Sequence, residues 1–187
     1  MLPLLIGTFS FVPMVAADYF CLHNRARRAG VLFAIGCGLL CASTLRLLWE
    51  SSWEGLGWFS AIPMGLAFVS LLLLVYSAFF AVKPRRGDQS ACPEGMRPLA
   101  CRGMYALCRH PGVLWLAGFY GFMAIAWRSR QWLLALLLFT FGDVLYVFYQ
   151  DRCIFPHTID RYREYRKTTP FLIPTASSIK EALASFK

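Results

Sequence analysis

The sequence predicts an all-α, polytopic membrane protein with about five transmembrane helices, because its apolar residues are abundant and gathered in long runs. Of its 187 residues, 58% are hydrophobic and only 16% are charged, whereas about a quarter of a soluble domain is charged. Runs of ~20 apolar residues have the length that an α-helix needs to cross a hydrocarbon core of ~30 Å. Helices are expected for these runs because they satisfy their own backbone hydrogen bonds in lipid. The chain length predicts one membrane domain, residues 1–187.

The predicted spans follow from the apolar runs. The first run has no Lys or Arg before it, and its first basic residue is Arg25. A cleaved signal peptide would carry positive charge ahead of its apolar core, so this run is expected to remain as a span. Arg128, Ser129 and Arg130 form a tight turn that makes a helical hairpin of spans four and five. The five predicted spans are residues 2–22, 30–49, 61–82, 112–127 and 131–150.

The basic residues predict the orientation of the chain. All but three of the 19 Lys and Arg residues follow spans one, three or five; the exceptions are Arg46, Arg128 and Arg130. The positive-inside rule therefore predicts an outside N-terminus and a cytosolic C-terminal tail. This asymmetry accounts for the net charge of +9, so the expected partner is the lipid bilayer and not a nucleic acid. A bacterial inner membrane and the endoplasmic reticulum both remain open, as does the oligomeric state.

Neither a metal site nor a disulfide framework is predicted. The seven cysteines contain no CxxC pair, and the three histidines share no ligand spacing with one another or with cysteines. A disulfide would also need an oxidising compartment, whereas the loop that carries Cys101 and Cys108 is expected in the cytosol.

Small residues recur at every fourth position in two predicted spans. Ala34, Gly38 and Ala42 do so in the second, and Ala117 and Gly121 in the fourth. Small residues at this spacing allow helices to approach closely, so these faces are predicted to pack helix against helix.

A polar motif, Arg109-His110-Pro111, lies where a basic loop meets the fourth span. Proline is favoured at the first position of a helix, so the span is predicted to begin at Pro111 with its free N–H groups facing the cytosol. Such an N-terminus attracts anions; Arg109 adds a bidentate clamp and His110 a proton donor or acceptor. Tyr105 lies near Arg109 if this loop is helical. The alternative is juxtamembrane positive charge with a helix-starting proline.

A second polar cluster lies at the end of the fifth span. Asp143, Tyr146 and Gln150 share one helix face, and Asp151 follows at the cytosolic end. A carboxylate within a span is costly, so Asp143 either pairs with an arginine or lines a binding cavity. Because a hairpin returns the chain to the side it left, the two polar clusters are predicted to meet at one membrane face. The tail after them is predicted to form a short surface helix over DRYREYRK.

The order of these motifs resembles one membrane family. Gly103 and Tyr105 precede Arg109-His110-Pro111, a helical hairpin follows, and the tail carries two tyrosines and two prolines, Tyr162, Tyr165, Pro170 and Pro174. Over residues 101–174 this pattern is similar to the isoprenylcysteine carboxyl methyltransferases and the related phospholipid methyltransferases. Residues 175–187 are left as a tail.

The resemblance implies S-adenosylmethionine-dependent methyl transfer at the cytosolic membrane face. The acceptor would be lipid-borne, either an isoprenylcysteine carboxylate or a phospholipid amine. The catalytic residues implied are Arg109, His110 and Asp151. The cofactor-binding residues implied are Tyr105, Arg109, His110, Pro111, Gln150, Asp151, Tyr162 and Tyr165.

The chain departs from the family pattern at three places. The family has paired glutamates where this chain has Gln150-Asp151, a glycine where Asp160 stands, and a tyrosine near Gly112-Val113. Two alternatives therefore stay open. One is a non-catalytic membrane scaffold or lipid-binding member of the same fold. The other is an NADPH-dependent enzyme related to the sterol reductases, whose C-terminal halves have a similar hairpin and tail.

Overall fold

The described part of the chain is helical. The computed structural model describes residues 1–23, 25–53, 56–81 and 96–185. The sequence predicts little regular structure between Lys83 and Arg109, where prolines and glycines are frequent, and residues 83–95 of this loop lie outside the described part. Within those ranges no β-strand forms; a single parallel bridge joins Arg97 to Ile159. This bridge ties the start of the second half of the chain to the tail.

The N-terminal half consists of long apolar helices. The first predicted span is divided at Ser10, whose hydroxyl donates to the Gly7 carbonyl at 2.6 Å. A short 3₁₀ turn, Trp58–Ser60, leads into the last helix of this half. The helices are α1 (Leu2–Phe9), α2 (Phe11–Leu22), α3 (Ala26–Glu50) and α4 (Ala61–Phe79).

The C-terminal half is a helical hairpin with short helices around one end. One π-helical turn, Gln150–Ile154, continues the second hairpin helix into the tail. The predicted surface helix is confirmed as α9, which ends before Pro170. The helices are α5 (Met104–Leu107), α6 (Pro111–Trp127), α7 (Arg130–Tyr149), α8 (Phe155–Thr158), α9 (Tyr162–Thr168) and α10 (Ala176–Ser185).

Among the described residues, four helical segments are long and apolar enough to cross a membrane: Leu2–Leu22, Arg27–Glu50, Trp58–Phe79 and Arg130–Thr158. Many large apolar side chains on them face outward, among them Phe68 and Phe141, as expected for a surface that meets lipid. The remaining predicted span corresponds to α6, which has 17 residues and a length of about 26 Å at 1.5 Å per residue. The chain is thus compatible with a membrane-embedded protein, and five spans with their orientation remain a prediction.

The hairpin begins and turns where the sequence predicts. Helix α6 starts at Pro111 and α7 at Arg130. Arg128 adopts the left-handed conformation, with a φ of 48°, and the Ser129 hydroxyl accepts from the Gln131 N–H at the start of α7. These two residues reverse the chain within a short turn.

Buried aromatic residues join the hairpin to the N-terminal half. Tyr120, Trp132 and Phe139 are fully buried. The Tyr120 hydroxyl lies 2.6 Å from the Thr44 hydroxyl, and the Trp132 indole donates to the Ser51 hydroxyl at 2.9 Å. These two hydrogen bonds connect the hairpin to α3 and to Ser51, the residue that follows it.

The small-residue prediction for the second span is wrong. Ala34, Gly38 and Ala42 lie on the exposed side of α3, and a side chain at Gly38 would meet nothing within 4 Å. Helix α3 instead packs through another face, where Gly36 touches Met14. The spacing shows that these residues share one face of the helix, but it does not show whether that face meets another helix or the lipid. Small apolar residues are compatible with both.

Candidate functional site

The carboxylate of Asp151 is the centre of a buried cluster at the end of α7. It forms an ion pair with Arg109, and its Oδ1 accepts from the Tyr162 hydroxyl at 2.7 Å. Arg166 Nε lies 3.4 Å from its other oxygen. His110 Nε2 lies 3.5 Å from Oδ1, within ion-pair range but without hydrogen-bond geometry. The cluster joins the loop before α6, the end of α7 and the tail helix α9.

Apart from Arg166, the side chains of this cluster are closed to solvent. Asp151 is 2% exposed, Tyr162 3% and His110 6%. Burial lowers the pKa of His110, although the nearby Asp151 opposes this shift, so the imidazole is neutral at pH 7. Burial and the carboxylate raise the pKa of Tyr162, which therefore remains a donor. Two guanidinium groups against one carboxylate leave the cluster with net positive charge.

The tail is fastened to the loop before α6 by backbone as well as side-chain contacts. The Arg109 N–H donates to the Pro170 carbonyl at 2.9 Å, and the Tyr165 hydroxyl donates to the Tyr105 carbonyl. The Tyr105 hydroxyl donates to the Ser77 carbonyl at 3.1 Å, and burial raises its pKa to about 12. Tyr105 and Tyr165 thus lie beside the cluster and hold its walls together.

Two nitrogens in the cluster are buried without a hydrogen-bond partner: Arg109 Nε and His110 Nε2. Buried polar groups normally have hydrogen-bond partners, so each of these two nitrogens is available to bond to a ligand. Aromatic rings surround them. His110 stacks on Phe155 with ring centroids 5.8 Å apart, and Phe171 lies 5.1 Å from His110 and 5.3 Å from the Arg109 guanidinium.

Gln150 does not join the Asp151 cluster. Its side-chain amide donates to Asp18 at 2.9 Å and to the Tyr146 hydroxyl at 2.8 Å. Consecutive residues diverge by about 100° on a helix, which directs Gln150 toward the N-terminal span while Asp151 faces the tail. The predicted face of Asp143, Tyr146 and Gln150 therefore borders α2, and Asp143 has no ion-pair partner among the described residues.

The structure also places three residues in the cluster that the sequence did not single out. Arg166 follows Tyr162 by four positions, and residues at this spacing share one face of a helix. The sequence could therefore have indicated that Arg166 lies beside Tyr162. Phe155 and Phe171 carry no such signal, because their contacts with His110 depend on how the tail folds back. Pro111 serves as the first residue of α6. In the described part of the chain, no three His, Cys, Asp or Glu residues converge as a metal site would require.

Comparisons of the chain with models of known families, with curated proteins and with solved structures find no match. The resemblance over residues 101–174 thus depends on the motifs themselves. The structure adds that three residues of these motifs, Arg109, His110 and Asp151, lie together.

Proposed function

We propose that this chain is a membrane-embedded, S-adenosylmethionine-dependent methyltransferase that acts on a lipid-borne acceptor at the cytosolic membrane face. The acceptor is an isoprenylcysteine carboxylate or a phospholipid amine. One observation carries the proposal: Arg109 and His110 meet Asp151, 42 residues away from Arg109 in sequence, in a single buried cluster. These are the residues to which the resemblance assigns catalysis.

The residues present fit the two charged ends of such a cofactor. Arg109 Nε and His110 Nε2 lack partners, and both can hold a carboxylate together with the N-terminus of α6. One face of Phe155 meets the His110 ring and one face of Phe171 the Arg109 guanidinium; aromatic faces of this kind, together with Tyr162, attract a sulfonium cation. When bound, the cofactor supplies a methyl group on that sulfonium.

The protein's contribution is alignment, because methyl transfer is an in-line displacement that mainly requires both partners to be held close. Asp151 orients Arg109 and the Tyr162 hydroxyl toward one point. A carboxylate acceptor needs no base. A protonated amine acceptor must lose a proton before it can react, so its methylation should depend on pH more strongly than that of a carboxylate. The tail residues Pro170 and Phe171 exclude water from the cluster, and they must move for a ligand to reach it.

A second candidate is a non-catalytic member of the same fold, and one observation favours it. The Asp151 carboxylate is already compensated by Arg109, Arg166 and Tyr162. A compensated, buried carboxylate can serve purely to hold the tail against the hairpin. The Gln150-Asp151 departure from paired glutamates agrees with such a role.

Calorimetric titration of the full chain in detergent with S-adenosylmethionine distinguishes the two. We expect saturable binding that is lost in His110→Gln and weakened in Arg109→Lys, which keeps the charge opposite Asp151. The matched controls are His23→Gln and Arg102→Lys, both at exposed positions. Helical circular dichroism and gel filtration establish that each variant is folded.

The outcomes separate the hypotheses. A folded protein that binds no S-adenosylmethionine contradicts the methyltransferase and leaves the non-catalytic member. NADPH, titrated in parallel, should produce no heat; saturable binding of NADPH would instead favour the reductase-like alternative.

A further inference from the structure

A basic groove lies beside the Asp151 cluster, between the end of α7 and the tail helix α9. It is open to solvent and has a volume of about 420 Å³. No carboxylate is among its lining residues. They are Arg152, Pro156, His157, Arg163, Arg166 and Lys167.

Two short segments form the walls of this basic groove. One wall comes from the π-helical turn and α8, which carry Arg152 and His157. The other comes from α9, where Arg163 and Lys167 lie four positions apart on one helix face. Opposed walls of like charge repel each other, so the arrangement is most stable with an anion between them.

The cations of the groove are mostly uncompensated. Arg166 lies 3.4 Å from Asp151, which fixes its guanidinium at the base of the groove. Arg152, Arg163 and Lys167 have no carboxylate within 4 Å in the ranges that the structure describes. The carboxylate of Glu164, although on the same helix, does not line the groove.

The groove lies where the apolar surface of α7 ends. The Arg152 guanidinium lies over the ring of Phe148, 5.3 Å from its centroid, and Phe148 is 49% exposed on the outer surface of the helix. An arginine whose guanidinium lies over an outward-facing ring at the end of an apolar helix is typical of the boundary between hydrocarbon and headgroups. We therefore expect the groove to open at the depth of the lipid headgroups.

We propose that this basic groove binds the phosphate group of an anionic phospholipid. Guanidinium groups match phosphate oxygens in pairs, and basic pockets at the cytosolic ends of spans recognise phosphorylated headgroups. The site does not depend on methyl transfer, because none of its charges except Arg166 touches the Asp151 cluster. A soluble phosphate compound has the same chemistry and is separated from a lipid by the experiment below.

The test measures binding of fluorescently labelled phosphatidic acid to the full chain in a neutral detergent. We expect Arg163→Gln/Lys167→Gln to weaken binding by roughly fivefold for each removed charge. The matched control Arg102→Gln/Lys180→Gln removes the same charge at exposed positions outside the groove and should change the dissociation constant less than about twofold. Labelled phosphatidylcholine, which carries no net charge, should bind weakly to all variants.

Three results decide the matter. Equal loss in the two double variants would mean diffuse attraction to positive charge and would overturn the groove. Equal binding of phosphatidylcholine, unaffected by either double variant, would overturn it as well. Displacement of the lipid by glycerol 3-phosphate at an equal concentration would support the phosphate site but assign it to a soluble compound, whereas no displacement supports the lipid.

Discussion

Gln150 and Asp151 are consecutive in the chain, but their side chains bond to opposite halves of the molecule. The Gln150 amide donates to Asp18 in the first apolar stretch at 2.9 Å, whereas Asp151 accepts from Tyr162 in the tail at 2.7 Å. The end of the hairpin therefore fastens both the first span and the tail. In the resembled family this pair is two glutamates, and the two replacements have different consequences here.

Gln150→Glu should destabilise the fold. The new carboxylate would face Asp18 in a half-buried position, where the amide now donates a hydrogen bond. We expect the free energy of unfolding to fall by roughly 1–3 kcal/mol, because a donor is lost and like charges meet. Thermal unfolding in detergent, followed by circular dichroism, measures the change.

The control makes the same chemical change at another position of α7, and the rescue removes the opposing carboxylate. Gln131→Glu lies in the first turn of α7, where negative charge is tolerated or favoured, and should leave the midpoint unchanged or slightly higher. Asp18→Asn added to Gln150→Glu restores an amide opposite an acid and should recover stability. A stable Gln150→Glu single variant would contradict the pairing.

Asp151→Asn should destabilise the fold more strongly. It leaves the guanidinium of Arg109 buried without its carboxylate, and breaking a buried ion pair in this way costs about 3–5 kcal/mol. The double variant Arg109→Gln/Asp151→Asn should lose less than the two single variants together. Asp160→Asn is the control, since its partner Arg161 is 71% exposed and such a surface pair contributes at most about 1 kcal/mol. Additive losses would mean that the two residues do not interact.

Tyr162→Phe should remove one hydrogen bond and keep the ring. A hydrogen bond to a charged group contributes about 1.5–3 kcal/mol, so the unfolding midpoint should fall without a change in helix content. Tyr19→Phe, at a position that is 53% exposed, should have an effect below about 0.5 kcal/mol. Equal effects at the two positions would argue against the Tyr162–Asp151 contact.

The neutral state of His110 should make the stability depend on pH. Burial lowers the pKa of His110 in the folded protein, so below the unfolded value of about 6.5 the unfolded chain binds more protons. Stability should therefore be full above pH 6.5 and fall as the pH decreases below it. His110→Gln should flatten this slope between pH 5 and 7, and His23→Gln should not. An unchanged slope in His110→Gln would assign the dependence to other groups.

Gly142→Ala should disturb packing of the hairpin on the N-terminal half. A Cβ at Gly142 would lie 2.7 Å from the ring of Phe11, and overpacking of this kind costs about 1–3 kcal/mol. Gly38→Ala is the control, because nothing lies within 4 Å of its Cβ position and alanine favours a helix over glycine by about 1 kcal/mol. The two substitutions should shift the unfolding midpoint in opposite directions. A shift of the same sign would mean that Gly142 tolerates a side chain.

Some members of the Asp151 cluster could be predicted from the sequence. Arg109 and His110 before a helix-starting proline, and Asp151 after a hairpin, were expected to meet because a hairpin returns the chain to one side. The Gln150 side chain bonds instead to Asp18 and Tyr146, since adjacency in sequence does not give a side chain's direction. Arg166 was missed as a partner of Asp151, although its spacing from Tyr162 held that information.

The sequence by itself determined the all-helical class with apolar helices long enough to cross a membrane, the start of α6 at Pro111 and the turn at Arg128–Ser129, because these depend on apolar length and local backbone chemistry. Only the tertiary structure decided which helix faces point inward and which residues share the Asp151 cluster or the basic groove. The physical reason is that lipid and protein core are both apolar, so hydropathy marks a span without marking its inner face. The contacts that select that face join residues as far apart as Asp18 and Gln150, and they form only once the helices pack.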